Sequence, residues 1–376
     1  MKFSFSSEQE EFRTSLRRLF AERSPTKQVR RLMETEAGFE RDAWRKLNTE
    51  LGLTAVRIPE AYGGQGFGFG ELCIVLEEMG RALLCAPYFS TAVLATGAIL
   101  NAGSDAEKRA LLPGIASGEL TATLAFSEDS GNWDAAGVKL TATKAGSAYK
   151  LDGSKSFVLD GHTADLIVVL ARNPGSSGEE GLSLFTVDGN AAGLERKRLA
   201  TMDATRRLAR LTFKGVEAKL LGAAGAAAGP FAKTMVEAAI CLSNEMVGVA
   251  ERLREDALAY AKMRMQFGRP IASFQSMTHK HADMLVDVEL AKSAAYYAAA
   301  AADAGDNDVP ALASLAKAGA SEAALQTAIH AIQIHGGIGF TWDNDTHLWF
   351  KRAKSSEVLL GDAHHHRELM MQRWAA

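Results

Sequence analysis

Hydrophobic positions recur with a helical period at both ends of this chain and with a period of two between them. Near the start, Phe12, Leu16, Leu19 and Phe20 share one helical face behind Ser7, Glu10 and Glu11, a capping pattern that predicts a helix opening at Ser7. The loop Tyr62-Gly63-Gly64-Gln65-Gly66-Phe67-Gly68 interrupts the pattern, Glu71 to Leu84 resumes it, and Pro113-Gly114 closes the block. From Glu119 to about Gly222 the period changes. Leu120 to Phe126 alternates, Leu166 to Ala171 is a continuous apolar run, and strand-like runs follow at Leu182 to Val187 and Leu208 to Phe213. Turn residues such as Asp152-Gly153 and Asp188-Gly189-Asn190 separate them, so the region predicts a compact β domain, barrel or sandwich.

Beyond residue 226 the helical period returns. Met235, Ala239, Leu242, Met246, Val249 and Leu253 are spaced alternately by four and three, one apolar stripe on a long helix of the kind that packs in a bundle. A second helix, His281 to about Ala302, is rich in alanine, and Asp303 to Pro310 predicts the turn before a third. The expected organisation is an α+β chain with a helical domain over 1–118, a β domain over 119–225 and a helical bundle over 226–376.

Composition narrows the function classes. The chain has 376 residues, 47% of them hydrophobic, which is ample for a large core. A net charge of −3 with Lys and Arg dispersed carries no footprint of nucleic acid or of an anionic membrane. Cys73, Cys85 and Cys241 lie far apart in apolar stretches, an odd set that fits a reducing compartment better than a disulfide framework. The first residues lead straight into an amphipathic helix with early acidic positions, unlike a secretory or transit segment, and no apolar run reaches membrane-spanning length. A cytoplasmic protein is expected. His364-His365-His366 is conspicuous, but successive helical residues point about 100° apart, so the three cannot share a metal. A helix end at a surface or interface is the simpler role; a CoA-phosphate or subunit contact is the other.

Two C-terminal segments carry candidate chemistry. Arg264 to Gln275 offers a guanidinium, amides and backbone N–H groups around Gly268, a setting suited to a diphosphate. Gln333 to Trp342 contains Gly336, Gly337 and Gly339, which let a backbone approach a flat or charged ligand. Singly, each is also what an ordinary helix corner or glycine cap looks like. No GxGxxG follows a strand, which argues against a Rossmann dinucleotide site.

Together, and in order, these segments resemble the C-terminal signature of the acyl-CoA dehydrogenase family. Leu112 to Glu119 with Ala125 to Glu128, Leu151 to Val158 with Ala164 to Val169, the Tyr62-Gly63-Gly64-Gln65-Gly66 loop and Glu77 to Arg81 resemble its other domains, so the likeness covers nearly the whole chain. Phe340-Thr341-Trp342 with His347 to Ala353 is similar to bacterial members acting on bulky steroid- or terpenoid-derived acyl-CoAs. The resemblance implies an N-terminal helical domain, a central β-barrel or sandwich, a C-terminal four-helix bundle, and FAD. It implies that Arg264, Gln266 and Phe267 approach the FAD diphosphate and adenosine across a subunit interface, with Gln275, Gln333, Gly336 and Gly337 along the same cofactor. Phe126, Ser127 and Phe157 would face the isoalloxazine ring. Implied partners are an acyl-CoA substrate, electron-transfer flavoprotein, and further subunits in a homodimer, homotetramer or heterotetramer with a related chain.

The chain also departs from the family pattern. Leu159 stands where a flavin-bonding threonine is usual, and Asn132-Trp133-Asp134 where a Gly-Ser-Asp stretch lies near substrate. The usual catalytic glutamate precedes the glycine of the last segment; here that position is Leu360, before Gly361 and Asp362. A minority of the family carries the base on the long helix, at a position that here falls on Ala238, beside Glu237 and two turns before Glu245. Glu245 is the first candidate and Glu237 the second; a structural salt bridge is the alternative for Glu245 and a solvated helix-start charge for Glu237. The expected activity is α,β-dehydrogenation of an acyl-CoA. A subunit that serves a heteromeric dehydrogenase without supplying the base, and an acyl-CoA oxidase, are the competing readings.

Overall fold

The computed structural model describes residues 5–146 and 148–375, so the first four residues of the opening segment lie outside the described residues. In chain order the helices are α1 (Ser7–Arg23), α2 (Thr26–Glu34), α3 (Arg41–Leu51), α4 (Phe69–Ala82), α5 (Thr96–Ala102) and α6 (Asp105–Ala116). Strands β1 (Ala122–Ala125), β2 (Thr141–Ala145), β3 (Ala148–Leu159), β4 (Leu166–Arg172), β5 (Leu182–Asp188), β6 (Leu194–Arg198) and β7 (Leu208–Leu221) follow. Then come α7 (Ala228–Met263), a short hairpin of β8 (Met265–Gln266) and β9 (Arg269–Pro270), α8 (Gln275–Ala304), α9 (Val309–His335), α10 (Thr346–Val358) and α11 (Ala363–Ala375). This is the helices–sheet–helical-bundle order expected. The chain forms two compact units: one takes the chain up to Arg31, Phe69–Leu84 and everything from Ala239, the other Leu32–Gly68 and Cys85–Ala238.

In the second unit the strands close into a ring. β2 pairs with β3, β3 with β7, β7 with β5 and β5 with β4, all antiparallel, and β4 returns to β2 through the parallel pair Arg172 and Thr141. β1 joins β4 in parallel and β6 joins β7. The architecture is a barrel, filled by Leu140, Leu151, Ile167, Val169, Phe185, Leu211 and Phe213. The alternation expected for Leu120 to Phe126 is absent, since every residue of β1 is buried. The helical segment Phe89–Ala95 packs against β1 and occupies its free edge: Thr91 Oγ1 donates to Ala122 O and accepts from Ala122 N, both at 3.0 Å.

In the first unit α7, α8 and α9 form the long helices of the bundle, with α4 laid across α7. Two glycines allow that approach: a Cβ on Gly80 would lie 2.2 Å from Glu245 O, and one on Gly248 1.9 Å from Glu77 O.

Several boundaries differ from expectation for local reasons. The cap of α1 is Ser6 rather than Ser7, because Ser6 and Gln9 exchange backbone and side-chain hydrogen bonds. α6 runs through Pro113 to Ala116, its last turn closed by Ser117 N on Pro113 O at 3.0 Å. α8 starts at Gln275, before His281, since exposed polar residues in its first turns hide the period. α9 starts at Val309 with Pro310 in its first turn, where a missing N–H costs nothing. Among the described residues no helix is long and apolar enough to cross a membrane.

Candidate active site

β1 ends by delivering Phe126 and Ser127 to the barrel rim, where Ser156 N donates to Ser127 O at 2.9 Å. That bond sets Ser127 beside an irregularity in β3. The β3–β7 register shifts between Lys155 and Val158, and Phe157 takes φ +58° with its ring 41% exposed. A bulge carrying a bulky residue at positive φ is strained and re-aims its side chain out of the sheet. Phe126 packs against Trp133 and Phe231, with ring centroids 5.8 and 5.5 Å away. The structure thus brings together the three residues expected at the ring of a flavin. Ser127 is 3% exposed, and its hydroxyl has no partner among the described residues. A buried, unpaired hydroxyl is costly unless a ligand completes it, so this rim fits a group with a hydrogen-bonding edge. Leu159 is buried and offers no second hydroxyl; its carbonyl accepts from Thr123 Oγ1 at 2.6 Å.

Behind this rim lies a pair that the motifs contain but the sequence reading did not single out. Lys155 is fully buried, and its ammonium donates to Phe126 O at 2.9 Å and to Glu128 Oε1 at 3.0 Å. The same carboxylate oxygen accepts from Lys139 N at 2.8 Å and Leu140 N at 2.9 Å. Burial pushes the Lys155 pKa down to about 8, with Glu128 opposing the fall. The available signal was a charged residue on the strand parity of inward-facing Leu151.

The two helix carboxylates are both paired. Glu237 is 6% exposed, takes Arg57 through both oxygens at 2.9 Å and accepts from Asn101 Nδ2 at 3.0 Å. It is therefore not a solvated charge. Glu245, 4% exposed, accepts from Arg352 Nη1 at 3.0 Å, the structural salt bridge held open for it. Cys241, between them on α7, is fully buried. Beside it, burial foremost and the Cys241 thiol next raise the Cys73 pKa well above the ordinary value.

Leu360 is buried at φ +62°, followed by Gly361 at φ +100°. The turn is held at its carbonyls. Lys317, itself fully buried, donates to Glu357 O at 3.1 Å and Gly361 O at 3.0 Å, and His366 Nε2 lies 2.9 Å from Leu360 O. The three histidines part ways as their helical spacing requires: His364 is exposed and His366 buried. Burial and the Lys317 charge take the His366 pKa down to about 3.

In the helical unit, Arg264 leads into the β8–β9 hairpin, whose tip is Phe267 at φ +53° and Gly268 at φ +75°. Two central residues at positive φ are the turn that matches strand twist. Phe267 is 92% exposed and meets the ring of Phe274 edge-on, 6.1 Å between centroids. Gln266 and Gln275 are exposed beside it. Arg264 N bonds Tyr260 O at 2.8 Å, and the Tyr260 ring stacks on His335 at 4.4 Å. The last turn of α7 before the hairpin therefore neighbours His335, the residue that precedes Gly336 and Gly337. Gly336 has φ +66°, and a Cβ on either glycine would meet open space. Guanidinium, amides and accessible backbone form a donor set that fits a dinucleotide diphosphate.

The comparisons with known proteins make the chain a flavin-dependent oxidoreductase acting on CH–CH bonds. The chain belongs to the acyl-CoA dehydrogenase family: the family's N-terminal domain matches residues 6–119, its middle domain 123–216 and its C-terminal domain 231–375. It is similar to the acyl-CoA dehydrogenase IpdE2 of Mycobacterium tuberculosis, 33% identical over 94% of this chain and 93% of that one. Among solved structures it resembles a Tcur3481-Tcur3483 steroid ACAD variant (31% identity, 98% of each chain, TM-score 0.87). The butyryl-CoA dehydrogenase of Megasphaera elsdenii is also similar, at 26% identity over 100% of each chain and a TM-score of 0.92. Members of this family are flavoproteins, typically holding FAD.

Proposed function

We propose that this chain works in the FAD-dependent α,β-dehydrogenation of an acyl-CoA thioester to the 2-enoyl-CoA, with electrons passed to electron-transfer flavoprotein. The observation that carries this reading is the buried, unpartnered Ser127 hydroxyl beside the bulged Phe157. FAD, when bound, supplies the acceptor for the β-hydride of the thioester. Ser127 would donate to the flavin edge, Phe126 and Phe157 would wall the ring, and Arg264, Gln266, Phe267, Gln275, Gln333, Gly336 and Gly337 would hold the diphosphate and adenosine. Trp133, packed on Phe126, narrows the approach for the acyl-CoA. The buried thiols Cys73, Cys85 and Cys241, none of them in a disulfide, support a cytoplasmic setting. The exposed Phe267, Phe340 and Met263, at 92%, 79% and 72%, support assembly with further subunits.

A second reading concerns the α-proton, and the ion pairs favour it. For Glu245 or Glu237 to act as base, a buried carboxylate would have to give up its charge while held by its arginine, which opposes its taking a proton. Leu360 accepts no proton. We therefore favour a half-site subunit of a heteromeric acyl-CoA dehydrogenase, in which a related chain supplies the base. The steroid ACAD relative, whose name joins two components, supports it. The test is the visible spectrum of the chain purified alone and with a co-expressed related chain, followed by anaerobic titration with acyl-CoAs. Flavin in the assembly, bleached by a thioester only when both chains are present, is the expected result. Bleaching by the chain alone would return the base to Glu245 or Glu237. Absence of flavin in both preparations would end the dehydrogenase reading.

A further inference from the structure

Taking a lysine ammonium and a carboxylate fully out of water carries a desolvation penalty that their attraction recovers only with good geometry. Lys155 and Glu128 are such a pair, 0% and 8% exposed, in a barrel otherwise filled with aliphatic and aromatic side chains. Their bonds are distributed in a specific way. Lys155 grips the carbonyl just before Ser127, and Glu128 is the residue just after it. Glu128 Oε1 also takes the N–H groups of Lys139 and Leu140, tying the rim to the chain entering β2. On β3, Lys155 is the last residue in register before the Phe157 bulge. Arg172, whose charge also acts on Lys155, binds the same approach to β2 through Val138 O and Ala136 O. The bonds of the pair thus tie the chain on either side of Ser127 to β3 and to the approach to β2.

We propose that Lys155 and Glu128 act as a positioning clamp that fixes the Phe126–Ser127 backbone so that the Ser127 hydroxyl faces the flavin edge. The clamp rests on the flavin reading above. It acts through Ser127 and touches neither substrate nor cofactor. An aliphatic pair of similar volume would fill the same space and leave the Phe126 carbonyl and two N–H groups to settle elsewhere, which is the difference the clamp makes.

The test compares the native chain with Lys155→Met, the charge-free double variant Lys155→Met/Glu128→Leu, Ser127→Ala, and Lys155→Met/Ser127→Ala. Two readouts are taken: FAD affinity by fluorescence quenching, and amide hydrogen exchange of the flavin-free chain. Loss of the clamp is expected to raise the FAD dissociation constant at least tenfold. Adding Ser127→Ala should change it by less than twofold more, because both act through one hydroxyl. Exchange should quicken at residues 126–128, 139–140 and 156–157 and stay native over the rest of the barrel. Unchanged affinity in the charge-free variant, or effects that simply add, would overturn the clamp. If the native chain binds no FAD the dehydrogenase reading falls by itself, and exchange decides: local quickening keeps the clamp, native exchange removes it. Unfolding of all three Lys155 variants would make the pair a support of the barrel and overturn the proposal.

Discussion

Glu245 and Arg352 meet at 3.0 Å with both side chains 5% exposed, an ion pair across more than a hundred residues of chain inside one helical unit. Gly80 lets α4 close over the Glu245 backbone, which keeps water from the pair. Removing one partner takes the opposite charge away from the other inside a buried site. Glu245→Gln is expected to lower unfolding stability by about 3 kcal/mol or more, measured by urea denaturation. Glu245→Leu combined with Arg352→Met should recover most of that loss. A folded, flavin-loaded Glu245→Gln variant should still bleach with thioester in the assembly. Loss of bleaching with stability intact would make Glu245 the base.

The turn at Leu360 is built although its side chain has no chemistry. Lys317 and His366 hold its carbonyls, and a leucine at φ +62° is kept where glycine would be at ease. Leu360→Glu would place a carboxylate in a turn already positioned. General-base catalysis contributes on the order of 10²-fold or more, so stopped-flow bleaching by an acyl-CoA should accelerate at least tenfold. A variant that folds, binds FAD and bleaches no faster would show that this turn does not face the α-carbon.

These two carboxylates also mark where sequence reading stopped. The stripe from Met235 to Leu253 made α7 legible, since three-four spacing depends only on neighbours one turn away. Gly268 likewise announced a turn, although the exposure of Phe267 at its tip followed from no local pattern. The partners of the glutamates did not show: Arg57 lies 180 residues from Glu237, and Arg352 lies 107 from Glu245. Nothing in an apolar period distinguishes a helix-face glutamate that meets solvent from one that meets a distant guanidinium. Lys155 was hidden for the same reason, its partners Phe126 and Glu128 being 29 and 27 residues back. β1 misled in the opposite direction, because the segment Phe89–Ala95 packs against it and every residue of the strand is buried.

Phe267 offers a separate test of assembly. At 92% exposure, on a two-residue hairpin tip, its ring meets that of Phe274 edge-on. Burying a phenylalanine against a partner stabilises by roughly 2 kcal/mol. Phe267→Ser should therefore leave the melting of the isolated chain within a degree or two. It should also shift sedimentation towards smaller species and weaken FAD retention on gel filtration. An unchanged assembly with unchanged FAD content would remove the hairpin from the interface and from the cofactor.

His366 predicts the acid behaviour of the C-terminal turn. Its pKa falls from 6.5 to about 3, through burial first and the Lys317 charge second, while the ring holds Leu360 O. The folded state therefore binds fewer protons than the unfolded state between these values, and stability must rise with pH across that window. Above pH 6.5 the contribution is complete. As the pH drops through 6.5 towards 3 it is withdrawn by up to roughly 5 kcal/mol, at about 1.4 kcal/mol per pH unit. The neutral ring must carry its proton on Nε2 to donate to Leu360 O, which fixes the replacement: His366→Gln keeps an N–H donor and removes the titration. Urea unfolding of the two proteins at successive pH values should show the native chain losing stability faster than His366→Gln below pH 6.5 and in parallel with it above. Parallel curves throughout would mean that His366 titrates alike in the folded and unfolded chain, and that burial does not depress its pKa.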